Sequence, residues 1–186
     1  MADKEKQHEG NYKRFMAMVG TSTLVMFGLM YLNTYALEHV FWSETRFWMM
    51  FVMGAAMAVV MLIFMWGMYR NTGKNWIIIG VAVATFAGSL WLVRSQETID
   101  DSEWMSAMIP HHSIAILTSE RAHIRDKRAQ ELANGIITAQ RKEIAEMEWL
   151  IADIEENGVA ATETEAAARP VPQFEGFLNA DGGATP

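Results

Sequence analysis

The 186 residues are 51% hydrophobic, include no cysteine and carry a formal net charge of −7. Residues 1–94 hold 8 Lys and Arg against 5 Asp and Glu, whereas residues 95–186 hold 7 against 17. The absence of cysteine excludes disulfides and thiolate metal sites, and the acidic second half argues against nucleic acid as a partner.

Three apolar segments in the first half predict transmembrane helices over residues 15–37, 47–69 and 76–93. None of them contains Asp, Glu, Lys or Arg, and each is long enough to cross a hydrocarbon core of about 30 Å. We therefore expect a cytoplasmic arm over residues 1–14, followed by a three-helix bundle within residues 15–94 in a lipid bilayer.

The distribution of Lys and Arg predicts the orientation of this bundle, because these residues accumulate on the cytoplasmic side. Six of them lie on the arm and the second loop, and only Arg46 and Arg94 lie on the opposite side. We therefore expect a multi-pass protein of a bacterial inner (plasma) membrane, with its amino terminus in the cytoplasm. The carboxyl-terminal domain is then periplasmic.

Two stripes of side chains run along the membrane segments. Thioethers are ligands that favour Cu(I), so a methionine stripe on the second segment permits a metal path. Gap filling between helices is the simpler interpretation. Small residues on the third segment predict close helix packing. The methionine stripe of the second segment comprises Met50, Met53, Met57, Met61, Met65 and Met68. The small-residue stripe of the third segment comprises Gly80, Ala84, Ala87 and Gly88.

Residues 95–158 change to an amphipathic pattern that predicts an extracytoplasmic helical hairpin. Asp100 is expected to cap a first helix that ends near Ala122, and a second helix is expected over residues 128–157. The residues that follow, 159–186, are rich in Ala, Thr, Glu, Pro and Gly, which predicts a mobile tail.

Stripes at spacings of 3 and 4 predict the faces on which the two helices meet. On the first helix the stripe comprises Asp101, Met105, Met108, His112, Ala115, Ser119 and Ala122. On the second it comprises Ala133, Ile136, Gln140, Glu143, Met147, Leu150 and Ile154. A turn centred near Arg125 brings His112 and Met108 to the level of Gln140, Glu143 and Met147. Imidazole, thioether and carboxylate groups at one level predict a transition-metal site, although each residue alone is also compatible with an ordinary core role.

A second copy of the hairpin is expected to complete this site. His111 and His112 point about 100° apart on a helix, so both cannot face one seam between two helices. Two helices also rarely enclose a core alone. The hairpin therefore predicts a half-bundle that becomes a four-helix bundle by homodimerisation.

The hairpin sequence resembles the family of domain of unknown function 305 over about residues 100–155. The resemblance rests on Asp101-x3-Met105-x2-Met108-Ile109-Pro110-His111-His112-x2-Ala115, and on Leu132-Ala133-x2-Ile136-Ile137-x2-Gln140-x2-Glu143-Ile144-x2-Met147-x-Trp149-Leu150. It implies a ferritin-like bundle and, as in the CopM-type members, periplasmic copper binding and copper resistance. The metal-binding residues that it implies are Met108, His111, His112, Gln140, Glu143 and Met147, with Met105 behind them.

Two departures from the family pattern affect these expectations. Thr118 stands where many members have a methionine, which removes one soft ligand, and the motif pair occurs once where many members carry it twice. We expect an all-α, membrane-anchored metal-binding protein that handles copper. The alternative is a metal-free structural or accessory subunit of a larger membrane complex. No enzymatic activity is expected, although oxidase chemistry is left open, because Glu120-x-x-His123, a di-iron spacing, occurs only once.

Overall fold

The computed structural model describes residues 11–177, and the regular secondary structure in this part of the chain is helical, without strands. Six α-helices and one short 3₁₀ helix, Leu37–His39, follow one another along the chain. The α-helices are α1 (Tyr12–Leu29), α2 (Glu44–Phe64), α3 (Thr72–Ser95), α4 (Asp101–Arg121), α5 (Lys127–Asn157) and α6 (Glu163–Ala168). The all-α prediction is confirmed.

The chain forms two compact units, and they are not simply its two halves. The first unit contains α1, together with Glu44–Thr98. The second contains the residues from Ile99 onward, together with Tyr31–Ser43, the loop between α1 and α2. This segment is called the first loop below. A segment from the amino-terminal half of the sequence therefore belongs to the same unit as the hairpin.

In the first unit α2 packs against both α1 and α3. The core of this unit contains Phe15 and Leu62, both fully buried. Asn75 ties one end of the unit together and is itself only 1% exposed. Its side-chain amide donates to the carbonyl of Tyr69 at 2.6 Å, and its Oδ1 accepts from the hydroxyl of Tyr12 at 2.7 Å.

The prediction of three apolar spans requires a correction in the first of them. Two helices of the described chain, Glu44–Phe64 and Thr72–Ser95, are long and apolar enough to cross a membrane. The predicted span 15–37 is not one helix, because α1 ends at Leu29. The residues beyond it enter the first loop, where Tyr35 packs on the hairpin while Leu32 and Leu37 are exposed.

The two membrane stripes are also placed differently from the predictions. Helix α2 ends at Phe64, so Met65 and Met68 lie beyond the helix. Met50 is buried, and the methionines at 57, 61 and 65 pack against the core of the unit, which fits the packing interpretation. The small residues of α3 do not pack within this unit, because Gly80, Ala84, Ala87 and Gly88 are all exposed. Helix α3 instead buries Asn75, Ala82 and Ser89, spaced seven residues apart.

The hairpin forms with the predicted cap Asp100 on its first helix and with a cap on its second, Asp126, that the sequence analysis did not name. The side chain of Asp100 accepts from the backbone N–H of Glu103 at 2.8 Å and starts α4. The side chain of Asp126 accepts from the N–H of Arg128 at 2.9 Å and starts α5. These side chains satisfy amide groups that have no partner within the first turn of a helix.

The predicted mobile tail contains a helix that the sequence analysis did not anticipate. Thr162 and Glu165 form a capping box at the start of α6. Arg169, just after α6, pairs with Asp153 of α5 at 2.6 Å. Residues 159–177 therefore make specific contacts with the hairpin, while residues 178–186 lie outside the described part of the chain.

Substitution of Gly54 tests the packing of the first unit. A Cβ at this position would lie 2.6 Å from Oγ1 of Thr23 on α1, whereas a Cβ on Gly80 meets nothing within 4 Å. We expect Gly54→Leu to destabilise the full chain in detergent by about 1–3 kcal/mol, since overpacking costs this much. Gly80→Leu is the matched control and should leave the thermal unfolding temperature nearly unchanged. Equal effects of the two substitutions would contradict this packing.

Candidate metal site at the edge of the hairpin seam

The seam between α4 and α5 lies about one residue away from the predicted stripes. The buried residues of α4 are Met105, Ile109, Pro110, Ser113 and Ile116. The buried residues of α5 are Ala133, Ile137, Arg141, Ile144 and Met147. The predicted stripes through His112 and through Ile136, Gln140 and Glu143 are therefore wrong as the centre of the seam. Those side chains lie along its edge.

The physical reason for this shift is the first loop, which covers the seam. Tyr35 and Phe41 of the loop pack against the apolar cluster of the hairpin. Two hydrogen bonds converge on Ser113, which is completely buried. Its Oγ accepts from the backbone N–H of Tyr35 at 2.7 Å and lies 2.9 Å from Nδ1 of His39. A serine in the middle of an apolar stripe is thus satisfied by the loop above it.

Arg141 is the second polar residue at the centre of the seam, and its side chain is only 1% exposed. Its guanidinium pairs with Glu120 of α4 and donates to the carbonyl of Phe177 in the tail. The guanidinium carbon also lies 5.9 Å from the ring centre of Tyr35. Burial, followed by the hydrogen bond with Glu120, raises the pKa of Tyr35. Arg141 therefore joins both helices, the first loop and the tail.

Sequence reasoning missed these residues, although a signal for them was present. Ser113 stands between Ile109 and Ile116, and Arg141 stands between Ile137 and Ile144. In each case the three residues are spaced by 4 and 3 positions, so they lie on one face of a helix. A polar residue between two isoleucines on such a face is the signal of a polar group at the centre of a seam.

His112 and Glu143 meet at the edge of the seam, at the level that the hairpin register predicted. Nδ1 of His112 lies 3.2 Å from Oε2 of Glu143, and the side chains are 14% and 46% exposed. Oε2 also accepts from the amide of Gln140 at 3.1 Å. Nδ1 of His112 is buried and makes no hydrogen bond within the described chain, despite its short distance to the carboxylate. The site thus contains a dry ring nitrogen beside a carboxylate.

The electrostatic environment favours the neutral form of His112. Burial lowers the pKa of this imidazole below its ordinary 6.5, and the neighbouring His111 acts in the same direction, while Glu143 opposes both. The rings of His111 and His112 are 6.0 Å apart, and His111 is exposed. A neutral imidazole is the form that binds a metal.

The predicted methionine ligands lie in different surroundings. Met105 and Met147 are 3% and 6% exposed and belong to the apolar cluster of the hairpin, so packing accounts for both. Met108 is partly buried against the same cluster. The structure therefore brings together His112, Gln140 and Glu143, with His111 alongside them, and keeps Met105 and Met147 in the core. Their role as ligands stays a prediction.

The residues present fit a metal only in part. Between residues 11 and 177, no group of three or more His, Asp or Glu side chains is arranged to hold a metal ion. The unpartnered Nδ1 of His112 and the half-exposed carboxylate of Glu143 supply one nitrogen and one oxygen donor. A complete site needs further ligands, such as the exposed His111 or groups from another chain.

Comparison with known proteins identifies the family to which the hairpin sequence belongs. The model of the domain of unknown function DUF305 matches residues 92–176. An uncharacterized protein of Acanthamoeba polyphaga mimivirus is 33% identical over 107 residues, which cover 56% of this chain and 68% of that protein. No solved structure matches. The chain belongs to the DUF305 family, as the motifs of the hairpin predicted.

The causes of the His112 pKa shift can be separated by substitution. Glu143→Gln removes the attraction that opposes burial, so the pKa of His112 should fall further. His111→Gln removes the repulsion between imidazolium groups, so the pKa should rise. An NMR titration of the His112 ring protons in the full chain measures both shifts. A shift of the same sign in the two variants would show that the neighbouring charges do not act as described.

Proposed function

We propose that this protein is a membrane-anchored metal-binding protein, and that the site at His112 and Glu143 binds copper on the extracytoplasmic side. The observation that carries this proposal is the buried, unpartnered Nδ1 of His112 beside a carboxylate. A buried polar atom without a partner costs free energy, so such an atom in a folded protein suggests a ligand.

The donor types favour a transition metal over calcium or magnesium, which prefer sites made of oxygen alone. His112 supplies imidazole nitrogen and Glu143 supplies carboxylate oxygen. Met108 supplies a thioether that suits Cu(I). Gln140 holds the carboxylate through its amide, a supporting contact of the kind that orients metal ligands.

A second copy of the hairpin is the proposed source of the missing ligands. His111 is exposed next to His112, and Trp104 and Leu132 of the hairpin are 53% and 65% exposed. A twofold axis near His111 would add a second set of imidazoles and cover part of this apolar surface. The proposal thus includes a homodimer that shares its metal.

The membrane orientation is part of the same proposal. The first loop precedes α2 and the hairpin follows α3, and both belong to one compact unit. Segments that pack together must lie on the same side of a bilayer, so α2 and α3 would cross it as a pair. The Lys and Arg distribution places that side outside the cytoplasm. A third crossing, which would bring the amino terminus into the cytoplasm, would have to run through α1, although its 18 residues are fewer than the roughly 20 apolar residues of a typical span.

Copper titration of the full chain in nanodiscs tests the site. We expect the wild-type chain to bind one copper ion per one or two chains. His112→Ala should weaken binding by about a hundredfold or more, because it removes the only nitrogen donor at the seam edge. Glu143→Gln removes the carboxylate charge but keeps an oxygen donor of similar shape, and should weaken binding by about 10–100-fold. His123→Ala is the matched control, because this exposed histidine lies in the turn of the hairpin.

Two results would contradict the metal site. One is equal copper affinity of the wild-type chain and His112→Ala. The other is the absence of any metal from protein purified gently from its native membrane, together with a stoichiometric partner protein. The second result would favour the alternative function, an accessory subunit of a larger membrane complex. The small-residue face of α3, which is exposed in the described chain, would be available to such a partner.

The orientation can be tested with single cysteines, because the chain contains none of its own. Cysteines replacing Leu37 in the first loop and Arg128 in the hairpin should react with a membrane-impermeant maleimide in intact spheroplasts. A cysteine replacing Lys74, which lies exposed in the first turn of α3, should react only after permeabilisation. The side chain of Arg128 is 91% exposed and Leu37 is 90% exposed, so burial does not limit labelling. The reverse pattern would overturn the orientation.

A further inference from the structure

The first loop is held on the hairpin by a buried histidine that the metal site does not use. His39 ends the short 3₁₀ helix of the loop and is only 4% exposed. Its Nδ1 lies 2.9 Å from Oγ of Ser113, which is itself completely buried. Since Ser113 already accepts the N–H of Tyr35, its own proton is available to Nδ1 of a neutral His39.

Protonation of His39 changes this contact. An imidazolium presents N–H groups at both ring positions, so Nδ1 can no longer accept from Ser113 and could only donate to the second lone pair of its Oγ, which reverses the contact. The loop would then also have to bury a positive charge, which is costly without a partner. Detachment of the loop would return the imidazolium to water, and Tyr35 and Phe41 would leave the apolar cluster.

We propose that the first loop is an acid-released strap, in which protonation of His39 detaches Tyr31–Ser43 from the seam of the hairpin. The strap is closed at neutral pH and opens as the pH falls below the pKa of an ordinary histidine, about 6.5. Opening exposes the centre of the seam, where Ser113 lies between Ile109 and Ile116.

The charged groups around the loop come from three segments. Glu38 neighbours His39 on the loop itself, Glu120 of α4 and Arg141 of α5 flank Tyr35, and Glu148 of α5 interacts with Glu38. Burial is the largest influence on the pKa of His39 and lowers it, while Glu38 opposes this effect. Burial and Glu38 raise the pKa of Glu148.

The sign of the pH effect follows from these shifts. In the detached loop His39 has the ordinary pKa of 6.5. In the packed loop its pKa is lower, so as the pH falls the detached loop takes up a proton first. Closure is therefore favoured above pH 6.5 and is lost progressively below it. Glu148 acts in the opposite direction, because its raised pKa favours proton uptake in the packed state in more acidic solution. The release is consequently best observed between pH 7.5 and 5.5.

Hydrogen exchange of the full chain in nanodiscs tests the strap. After correction for intrinsic exchange rates, protection of residues 31–43 should fall about tenfold between pH 7.5 and 5.5, the ratio for a histidine that stays neutral when packed. Residues 137–147 of α5 should lose much less protection. His39→Gln offers an amide oxygen to Ser113 but does not titrate, so its loop should keep its protection at pH 5.5. Because the variant retains His112, any loss of protection caused by protonation of His112 would occur in both the wild-type chain and His39→Gln.

Two outcomes would overturn the strap. One is constant protection of the wild-type loop over this pH range, and the other is an equal loss of protection in His39→Gln. If the glutamine variant leaves the loop unprotected even at pH 7.5, an NMR titration of His39 in the wild-type chain decides the matter. A pKa of His39 at or above 6.5 in the closed state would then refute the strap, and a lower pKa would support it.

Discussion

Two helices rarely enclose an apolar core by themselves, and the hairpin meets this constraint because the first loop packs on its seam. A fully buried isoleucine stabilises a fold by about 1.5–3 kcal/mol, and Ile109 and Ile116 are both completely buried. A hydrogen bond contributes about 0.5–1.5 kcal/mol, so apolar packing drives closure of the unit. The bonds that converge on Ser113 set the position of the loop, because a buried hydroxyl without partners would be costly.

The position of the candidate site follows from this closure. With the loop over Ser113 and Arg141, the face that carries His112 and Glu143 becomes the edge of the seam. There the imidazole is dry enough for burial to hold its pKa down, while the carboxylate remains half-exposed. A metal could approach from that edge without opening the core. The same division of faces separates the site from His39, which lies on the buried side of the loop.

The sequence predicted the helices of the hairpin well, because their signals are local. Asp100 caps α4 as expected, and the register that places His112 beside Glu143 follows from the position of the turn. The centre of the seam was mispredicted because two stripes on each helix have helical spacing. The predicted stripes pass through His112 and Gln140, whereas the observed seam passes through Ser113 and Arg141, one residue further along each helix. Choosing between them requires the first loop, a contact across 78 residues between Tyr35 and Ser113 that no local pattern reveals.

The end of α1 was mispredicted for a related reason. Residues 31–37 are apolar enough to continue a membrane helix, but they join the first loop, whose Tyr35 and Phe41 pack on the hairpin. Hydropathy cannot distinguish burial in lipid from burial against protein. The tail was predicted to be mobile from its composition alone. Composition does not reveal a specific contact such as the ion pair between Arg169 and Asp153.

Copper-edge X-ray absorption spectroscopy of the loaded full-length protein tests the central claim most directly. If His112 and Glu143 hold the metal, the wild-type spectrum will show scattering from imidazole, and this signal will weaken in His112→Ala but not in His123→Ala. A coordination shell of sulfur alone, or a spectrum unchanged by His112→Ala, would contradict the claim and locate copper elsewhere in the chain.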